Sequence, residues 1–210
     1  MSERSKPAKG SLAEVARQAG VSIATASRVL NRSSHPVAEA TRKRVLEAAE
    51  AVGYSPSALA RALVTQRSRI IGVIVGDIVD PYFAEITRGI EDVGAKAGYL
   101  TIVCNADRRT ELEEEQMRVL VDYHAEGVVF AGSGYVNDPK GTELSRLVER
   151  ARERGMTVLS LAHRDFECPR IVVDNRAAAY DLTDYLISLG HRRIAFIKGP
   201  AGLYASGHRL

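Results

Sequence analysis

The sequence predicts a small all-α module, followed by an α/β domain with a doubly wound parallel sheet that is incomplete at the C-terminus. Helical periodicity runs from Leu12 to Val52. From residue 70 onward, continuous apolar runs alternate with amphipathic segments, which is typical of buried parallel strands joined by helices. The last such run, RIAFIKG, is followed only by PAGLYASGHRL, where a helix covering the sheet is expected.

Charge is distributed unevenly along the 210 residues. Residues 1–69 carry 12 lysines and arginines against 5 acids, a net of +7, and the remainder carries a net of −4. A basic module attached to a neutral-to-acidic domain favours a polyanionic partner for the first part. A merely solvated basic surface explains the charge alone equally well. Residues 1–10 are polar and basic, and we expect them to form a flexible arm.

Three helices are predicted in the all-α module. Apolar residues at positions 12, 15, 16 and 19 form one helical stripe, which Gly20 can end in the left-handed conformation that suits glycine. Ser22 can cap a second helix, and a third runs from Thr41 to Val52 with Gly53 just beyond it. Two short helices joined at a glycine turn form the helix-turn-helix pattern, whose second helix enters the DNA major groove. A purely structural helical bundle has the same turns and caps, so geometry alone leaves that alternative open.

The α/β domain is predicted from segments of alternating type. Its strands are IIGVIVGDI, YLTIVCN, GVVFAG and MTVLSLA, and its helices span 82–97, 111–123 and 142–154. This order gives right-handed crossovers and a parallel sheet. After FECPR a second α/β unit begins, with a strand at RIVVDN, a helix over 176–189 and a strand at RIAFIKG. We expect this second unit to be unfinished and, if these residues are the whole product, only marginally stable.

Several function classes lack their sequence signatures. The chain has no G-x-G-x-x-G, P-loop or G-x-S-x-G motif and no histidine and cysteine cluster at metal-ligand spacing. Cys104 and Cys168 make no disulfide framework, no signal peptide is evident, and no apolar run reaches the roughly 18 residues of a membrane span. We therefore expect a cytoplasmic protein that is not an enzyme, with no catalytic residues, metal or cofactor. The acidic run ELEEEQ is interpreted as the solvated face of a helix.

The second short helix carries groups suited to DNA. Ser22, Thr25 and Ser27 are short hydroxyl donors for phosphate oxygens, whose contacts set the register of a protein on the duplex. Arg28, one turn into the helix, can read O6 and N7 of guanine with its planar guanidinium.

These segments also carry a family resemblance. AEVARQAGVSIATASRVLN and TRKRVLEAAEAVGYSPSALARAL resemble the LacI/GalR family of bacterial transcriptional regulators, and the similarity continues through IIGVIVGDIVDPYFAEITRGIED, EGVVFAG, VVDNRAAAYDLTDYLISLGHRRIAFIKGP and SGHRL. It covers nearly the whole chain. It implies a helix-turn-helix DNA-binding domain over 11–66 and a periplasmic-binding-protein-like sensor domain. The N-terminal subdomain of that sensor would span 67–163, and the start of its truncated second subdomain 164–210.

The resemblance assigns contacts to DNA in the major groove. It places base reading at Ile23, Ala24 and Arg28, and phosphate contacts at or near Asn31 and His35. Ile23 and Ala24 are apolar and can offer only contact with a thymine methyl group or with groove shape, so Arg28 is expected to carry most direct discrimination. His35 has loop packing as its alternative role.

GYSPSALARAL resembles the family's hinge helix, at about residues 56–64. Barely two turns are too few for a stable isolated helix, so we expect this segment to order only on DNA and against its twin in a homodimer. The resemblance places minor-groove contacts at Ser57, Ala60 and Leu63, with Leu63 as an apolar wedge between base pairs. Without the resemblance, Leu63 is an ordinary core leucine.

A ligand site is expected in the α/β domain, because ligands of open α/β sheets bind beyond the carboxyl ends of the strands. The loops after the strands and the resemblance together give the predicted effector-binding residues Tyr82, Phe83, Asp107, His163, Arg164 and Arg209. Tyr82 and Phe83 have an aromatic helix cap as their alternative role. Ala162 stands where many family members have an acid.

The predicted function is that of a transcriptional regulator, and specifically a repressor. It binds a pseudo-palindromic double-stranded DNA operator as a dimer and responds to a small-molecule effector, a sugar or a nucleoside-like metabolite, with no membrane partner. One alternative is a stand-alone solute-binding protein, against which the helix-turn-helix and the missing signal peptide argue. Another is a fragment that retains only DNA binding. A nucleotide-utilising α/β enzyme lacks any site residues.

Overall fold

The computed structural model describes residues 10–31, 35–55 and 67–210. The chain divides into two compact units between Arg67 and Ser68, and each unit is described by itself.

The first unit contains the three predicted helices. They are α1 (Leu12–Ala19), α2 (Ile23–Leu30) and α3 (Glu39–Ala51). Gly20 ends α1 with a φ of 64°, and the N–H of Val21 donates to the carbonyl of Ala16 at 3.0 Å. Ser22 caps α2 by accepting the N–H of Thr25 at 3.1 Å, which confirms the predicted cap.

Small side chains build the core of this unit. Among the described residues of this unit eight are buried and five of those are alanines: Val15, Ala16, Ala19, Ala26, Val29, Val45, Ala48 and Ala49. Alanine and valine let short helices approach closely, so three helices of 8, 8 and 13 residues can share one core. The opposite face of α2 is thereby left exposed.

The second unit is an α/β domain with a parallel four-stranded sheet in the order β2-β1-β3-β4. In chain order its first elements are β1 (Ile70–Val75), α4 (Pro81–Lys96), β2 (Leu100–Asn105), α5 (Thr110–Asp122), β3 (Gly127–Phe130), α6 (Gly141–Glu153) and β4 (Thr157–Ser160). The chain moves from β1 outward to β2, then returns past β1 to β3. The strand order therefore reverses between β1 and β3.

Helices cover both faces of the sheet. Val73 and Val75 pack with Phe83 of α4 on one face, and Ile74 packs with residues of α5 and α6 on the other. The approach of α5 is close, because a Cβ on Gly72 would lie 2.3 Å from Leu120 Cδ1. The alternation of strands and helices predicted from the sequence is confirmed up to β4.

The remaining chain forms α7 (Asn175–Ser188) and a short α8 (Tyr204–His208). The predicted helix over 176–189 is thus confirmed, but the predicted strands RIVVDN and RIAFIKG are wrong, since 171–174 and 191–200 contain no strand residue. Only an isolated bridge between Ser160 and Arg170 joins this segment to the sheet. No residue of α7 is buried, and Ile197 is 97% exposed, so no apolar layer supports pairing there.

Candidate functional site

The exposed face of α2 is the first candidate site. Ile23, Ala24 and Arg28 are exposed, whereas Ala26 and Val29 of the same helix are buried in the core. The helical period therefore separates a packed stripe from a free stripe that begins at the helix N-terminus. Ile23, 54% exposed, presents an apolar group to solvent at the position predicted to meet a base edge.

The hydroxyl groups of α2 already have protein partners, yet keep hydrogens to donate. Ser22 and Thr25 share one hydrogen bond of 2.9 Å between their hydroxyls, which uses one of their two hydroxyl hydrogens. Ser27 Oγ accepts from Asn31 Nδ2 at 3.1 Å, so its own hydrogen is unused by that bond. In both cases a hydroxyl oxygen accepts a hydrogen bond from the protein, which fixes its position. A hydroxyl hydrogen remains available to donate to a phosphate oxygen.

Arg28 differs in its surroundings from three other cations of the same unit. Arg17, Arg42 and Lys43 each lie within 4 Å of a glutamate on their own helix, at 3.8, 3.7 and 3.9 Å. Among the described residues, no acid pairs with Arg28. His35 is exposed. The predicted minor-groove residues Ser57, Ala60 and Leu63 lie outside the described residues.

The second candidate site is a cavity of about 500 Å³ in the α/β unit. It opens at the carboxyl ends of β1, β3 and β4, where residues 80, 82–83, 131–135 and 161–163 form one side. Residues from the segments 172–175 and 199–209 form the other. The strand order reverses between β1 and β3, so the loops after these strands diverge and leave a crevice.

An aromatic pair forms the apolar part of the wall. Asp80 caps α4 by accepting the N–H of Tyr82 at 3.0 Å, which fixes the start of the helix at the cavity. Tyr82 is 52% exposed and Phe83 8%, and their rings meet edge to face at 5.2 Å. Both line the cavity, and Phe83 is also part of the core under α4.

Arg108 is a wall residue that the sequence prediction missed. Its Nη1 donates to Asp77 Oδ2 at 3.0 Å and its Nη2 to Asp80 Oδ2 at 3.2 Å. These bonds join the loop after β2 to the loop after β1. The predicted contact Asp107 is exposed and absent from the described lining, and both Asp107 and Arg108 have positive φ, 51° and 55°. The backbone conformation at these two residues thus directs the side chain of Arg108, and not that of Asp107, to the cavity.

Arg164 lies in the interior beneath the cavity. Its guanidinium donates to both carboxylate oxygens of Glu113, at 2.5 and 2.9 Å, and to the carbonyl of Gly132 at 2.6 Å. The charge also lies 4.9 Å from the ring centre of Phe130. Both side chains of the pair are below 8% exposed. This gives Arg164 a structural role, in place of the effector contact predicted from the sequence.

Glu113 also corrects the interpretation of the acidic run ELEEEQ. Its neighbours Glu111 and Glu115 are exposed, but Glu113 is 6% exposed and lines the cavity from α5. The sequence contains a pattern that indicates this burial, because Glu113 precedes the buried Met117 by four residues and the buried Leu120 by seven. Residues at these spacings share one face of a helix, so Glu113 faces the interior together with the apolar residues.

The far wall of the cavity comes from the segment around α8. The N–H of Tyr204 donates to the carbonyl of Gly134 at 3.0 Å, and the N–H of Ala205 to Ser133 Oγ at 3.2 Å. Arg209 Nε donates to Asn175 Oδ1 at 2.6 Å, and Arg209 lines the cavity.

His163 faces this far wall. Its ring lies 4.6 Å from that of His208. Burial lowers the pKa of His163 from its ordinary 6.5, and the charges of His208 and Arg170 lower the pKa further.

The two sites differ in what they can hold. The face of α2 offers hydroxyl donors and an arginine that pairs with no acid in the described parts of the chain, which suits a polyanion with readable base edges. The cavity combines an aromatic wall with charged groups that are mostly paired within the protein, which suits a small polar molecule. Within the described parts of the chain, no helix is both long and apolar enough to cross a membrane.

Two family models match the chain in succession. The model for bacterial regulatory proteins of the lacI family matches residues 11–57. The model for periplasmic binding proteins and the sugar binding domain of the LacI family matches residues 68–210. The helix-turn-helix and the cavity each fall within one of these matches.

Individual proteins show the same similarity. The chain is 39% identical to the HTH-type transcriptional regulator RegA of Clostridium saccharobutylicum over 189 residues, which are 89% of this chain and 54% of RegA. It is 33% identical to the HTH-type transcriptional repressor CytR of Escherichia coli over 213 aligned positions, covering 100% of this chain and 60% of CytR.

A solved structure shares the fold. The lac repressor dimer bound to operator and the anti-inducer ONPF aligns with a TM-score of 0.76 at 24% identity, over 97% of this chain and 59% of that one. The chain therefore spans little more than half the length of the relatives it matches.

Proposed function

Since the chain belongs to the LacI family of bacterial regulatory proteins, we propose that it regulates transcription by binding operator DNA through α2, and that it acts as a repressor. The observation that carries this proposal is the geometry of α2. A serine cap fixes its N-terminus, its apolar stripe is buried, and Ile23, Ala24 and Arg28 are exposed on the free face. The relatives named above support the proposal, since RegA is an HTH-type transcriptional regulator and CytR an HTH-type transcriptional repressor.

The roles along α2 follow from chemistry. The hydroxyls of Ser22, Thr25 and Ser27 meet phosphates, and Arg28 reads a guanine with two parallel hydrogen bonds. Ile23 and Ala24 contribute contact with a thymine methyl group. Because a single arginine gives little sequence information, we propose that the protein binds as a homodimer to a pseudo-palindromic operator, which doubles the readout.

We further propose that the cavity binds a small effector, a sugar or a nucleoside-like molecule. Tyr82 offers a half-exposed ring for stacking on a sugar or base face, and Arg209 lies at the opposite wall. We also propose the domain boundaries expected from the sequence: a DNA-binding domain over 11–66 and two sensor subdomains over 67–163 and 164–210. Effector binding favours one arrangement of the sensor over another, and the hinge at about 56–64 passes that preference to DNA affinity.

DNA binding is tested with the full 210-residue chain. Random duplexes are selected for binding, and the affinity for the selected sequence is measured by fluorescence anisotropy at several salt concentrations. We expect specific binding that weakens steeply with salt, and we expect Arg28→Ala to cost about 1–3 kcal/mol and to relax the preference at one base pair of each half-site.

The matched control is Arg88→Ala. Arg88 is an exposed arginine of α4 in the other unit, so the substitution removes the same charge from outside the helix-turn-helix. Equal losses for the two variants would show that α2 does not read the operator. Solute binding without any DNA binding at low salt would favour the alternative of a stand-alone solute-binding protein.

A further inference from the structure

Two segments distant in sequence meet at one edge of the cavity through aromatic and titratable side chains. His163 and Asp165 follow β4, and Tyr204 and His208 belong to α8. We refer to these four residues as the clasp. His163 also lines the cavity, and residues on either side of Tyr204 line the opposite wall. The clasp therefore joins the two sides of the proposed effector site.

The rings of the clasp are in direct contact. His163 and His208 meet edge to face, with ring centres 4.6 Å apart and planes at 84°. Tyr204 lies 6.0 Å from both histidines. The hydroxyl of Tyr204 donates to Asp165 Oδ1, and this bond raises the pKa of Tyr204. Edge-to-face packing of two imidazoles suits neutral rings, because two imidazolium ions at this separation repel each other.

The charges around the clasp also oppose protonation of His163. His208 faces it from α8, and Arg170 approaches from the segment before α7. Arg209 lies immediately after α8 and is engaged with Asn175. Arg164, the neighbour of His163 in sequence, points inward to Glu113. The one acid of the clasp, Asp165, is engaged by the Tyr204 hydroxyl. A proton on His163 therefore meets mainly cations.

We infer that the contact of His163 with His208 is a proton-sensitive clasp, which holds α8 against the loop after β4 at neutral pH and releases it when His163 is protonated. Release separates Tyr204 and Ser206 from the loops after β3 and β4, and so widens the cavity. The inference rests on the proposed effector site for its consequence, since an acidified protein would hold its effector less tightly. The clasp itself requires neither effector nor DNA.

The direction of the effect follows from linkage. Burial depresses the pKa of His163 in the closed form, so opening takes up a proton at any pH between the closed-form and open-form pKa values. Acidification in that window favours the open form. With one proton taken up per opening, the opening equilibrium increases by up to about tenfold for each unit of pH.

The test uses the full chain without DNA or effector. The imidazoles of the wild type and of His208→Gln are titrated by NMR, and amide hydrogen exchange of α8 is measured from pH 7.5 to 5.5 as protection factors, which remove the intrinsic pH dependence. We expect the pKa of His163 to rise in His208→Gln. We also expect protection of α8 in the wild type to fall by up to about tenfold per pH unit below the open-form pKa, and this fall to disappear in His163→Gln.

The matched control is His191→Gln, which changes a histidine on the turn after α7 in the same way. An unchanged pKa of His163 in His208→Gln, or pH-independent protection of α8 in the wild type, would overturn the inference even if the variants fold poorly, because the second measurement needs no variant. Absence of DNA binding in the anisotropy assay would contradict the proposed function and leave this result untouched.

Discussion

Replacing Glu113 by glutamine isolates the charge of the ion pair beneath the cavity. Glutamine has nearly the same shape, so the packing around α5 is retained while the carboxylate charge is lost. The charged side chain of Arg164, which is only 4% exposed, then has a neutral glutamine and the carbonyl of Gly132 as its partners. A buried cation without its counterion is costly because the interior solvates it poorly.

The size of the loss follows from this geometry. Removing one partner of a buried pair costs about 3–5 kcal/mol. The Glu113–Arg164 pair has two direct hydrogen bonds, at 2.5 and 2.9 Å, so it belongs to the strongly coupled type. Glutamine can keep one of these bonds, and we therefore expect a loss of about 3 kcal/mol, near the lower end of that range. Such a loss is a large part of the stability of an ordinary domain.

Urea unfolding followed by tyrosine fluorescence measures the change. The chain has no tryptophan and eight tyrosines, and Tyr54 is the sole tyrosine before residue 68, so the signal reports mainly the α/β unit. With a slope of about 2 kcal/mol per molar urea, the expected loss lowers the midpoint by about 1.5 M.

Glu115→Gln provides the matched control. It makes the same chemical change on the exposed side of the same helix, where we expect less than about 0.5 kcal/mol. If Glu113→Gln shifts the midpoint no further than Glu115→Gln, the pair does not stabilise the unit and the reasoning fails.

Three further outcomes are expected. Ser22→Ala should cost the helical unit about 1 kcal/mol, because the Thr25 N–H loses its acceptor. Circular dichroism during thermal unfolding measures this loss. Gly134→Ala should destabilise the α/β unit by about 1–3 kcal/mol, because the new Cβ would lie 3.0 Å from Arg164 Cδ. Gly89→Ala, where the new Cβ would meet open space, should leave the stability unchanged, and urea midpoints measure both variants. The depressed pKa of His163 means that the unfolded chain binds the proton more tightly, so stability of the α/β unit should fall as pH drops below about 6.5, and a thermal midpoint that falls equally in His163→Gln would contradict this.

The helix-turn-helix was accessible from the sequence because its determinants are local. Gly20 ends α1 and Ser22 caps α2 through bonds that span a few residues. The order of strands and helices was equally visible, since each buried strand has its own apolar run. The segment after β4 was not. RIVVDN and RIAFIKG have the composition of strands, but strand formation also requires a partner edge and a covering layer, and Ile197 at 97% exposure has neither.

The wall of the cavity was predicted less well than the helix-turn-helix because its determinants are long-range. Tyr82 and Phe83 follow from their place after β1. Arg108 does not, because its direction depends on two successive residues of positive φ and on aspartates of another loop. Arg164 and Glu113 are 51 residues apart in sequence, and neither residue alone indicates that the other neutralises it.

The carbonyl of Gly132 explains why a buried ion pair is present at all. It belongs to the loop after β3, beyond the last residue of that strand, and Gly132 is buried against the backbone of Gly76. A buried carbonyl requires a donor, and Arg164 supplies one at 2.6 Å, which in turn requires Glu113 for its charge. An apolar replacement of both side chains, Glu113→Leu with Arg164→Met, removes the charge problem but leaves that carbonyl without its donor. The double variant should therefore lose about 1–3 kcal/mol, the cost of one unsatisfied buried group, and less than Arg164→Met alone, which also leaves the buried carboxyl group of Glu113 without its partner.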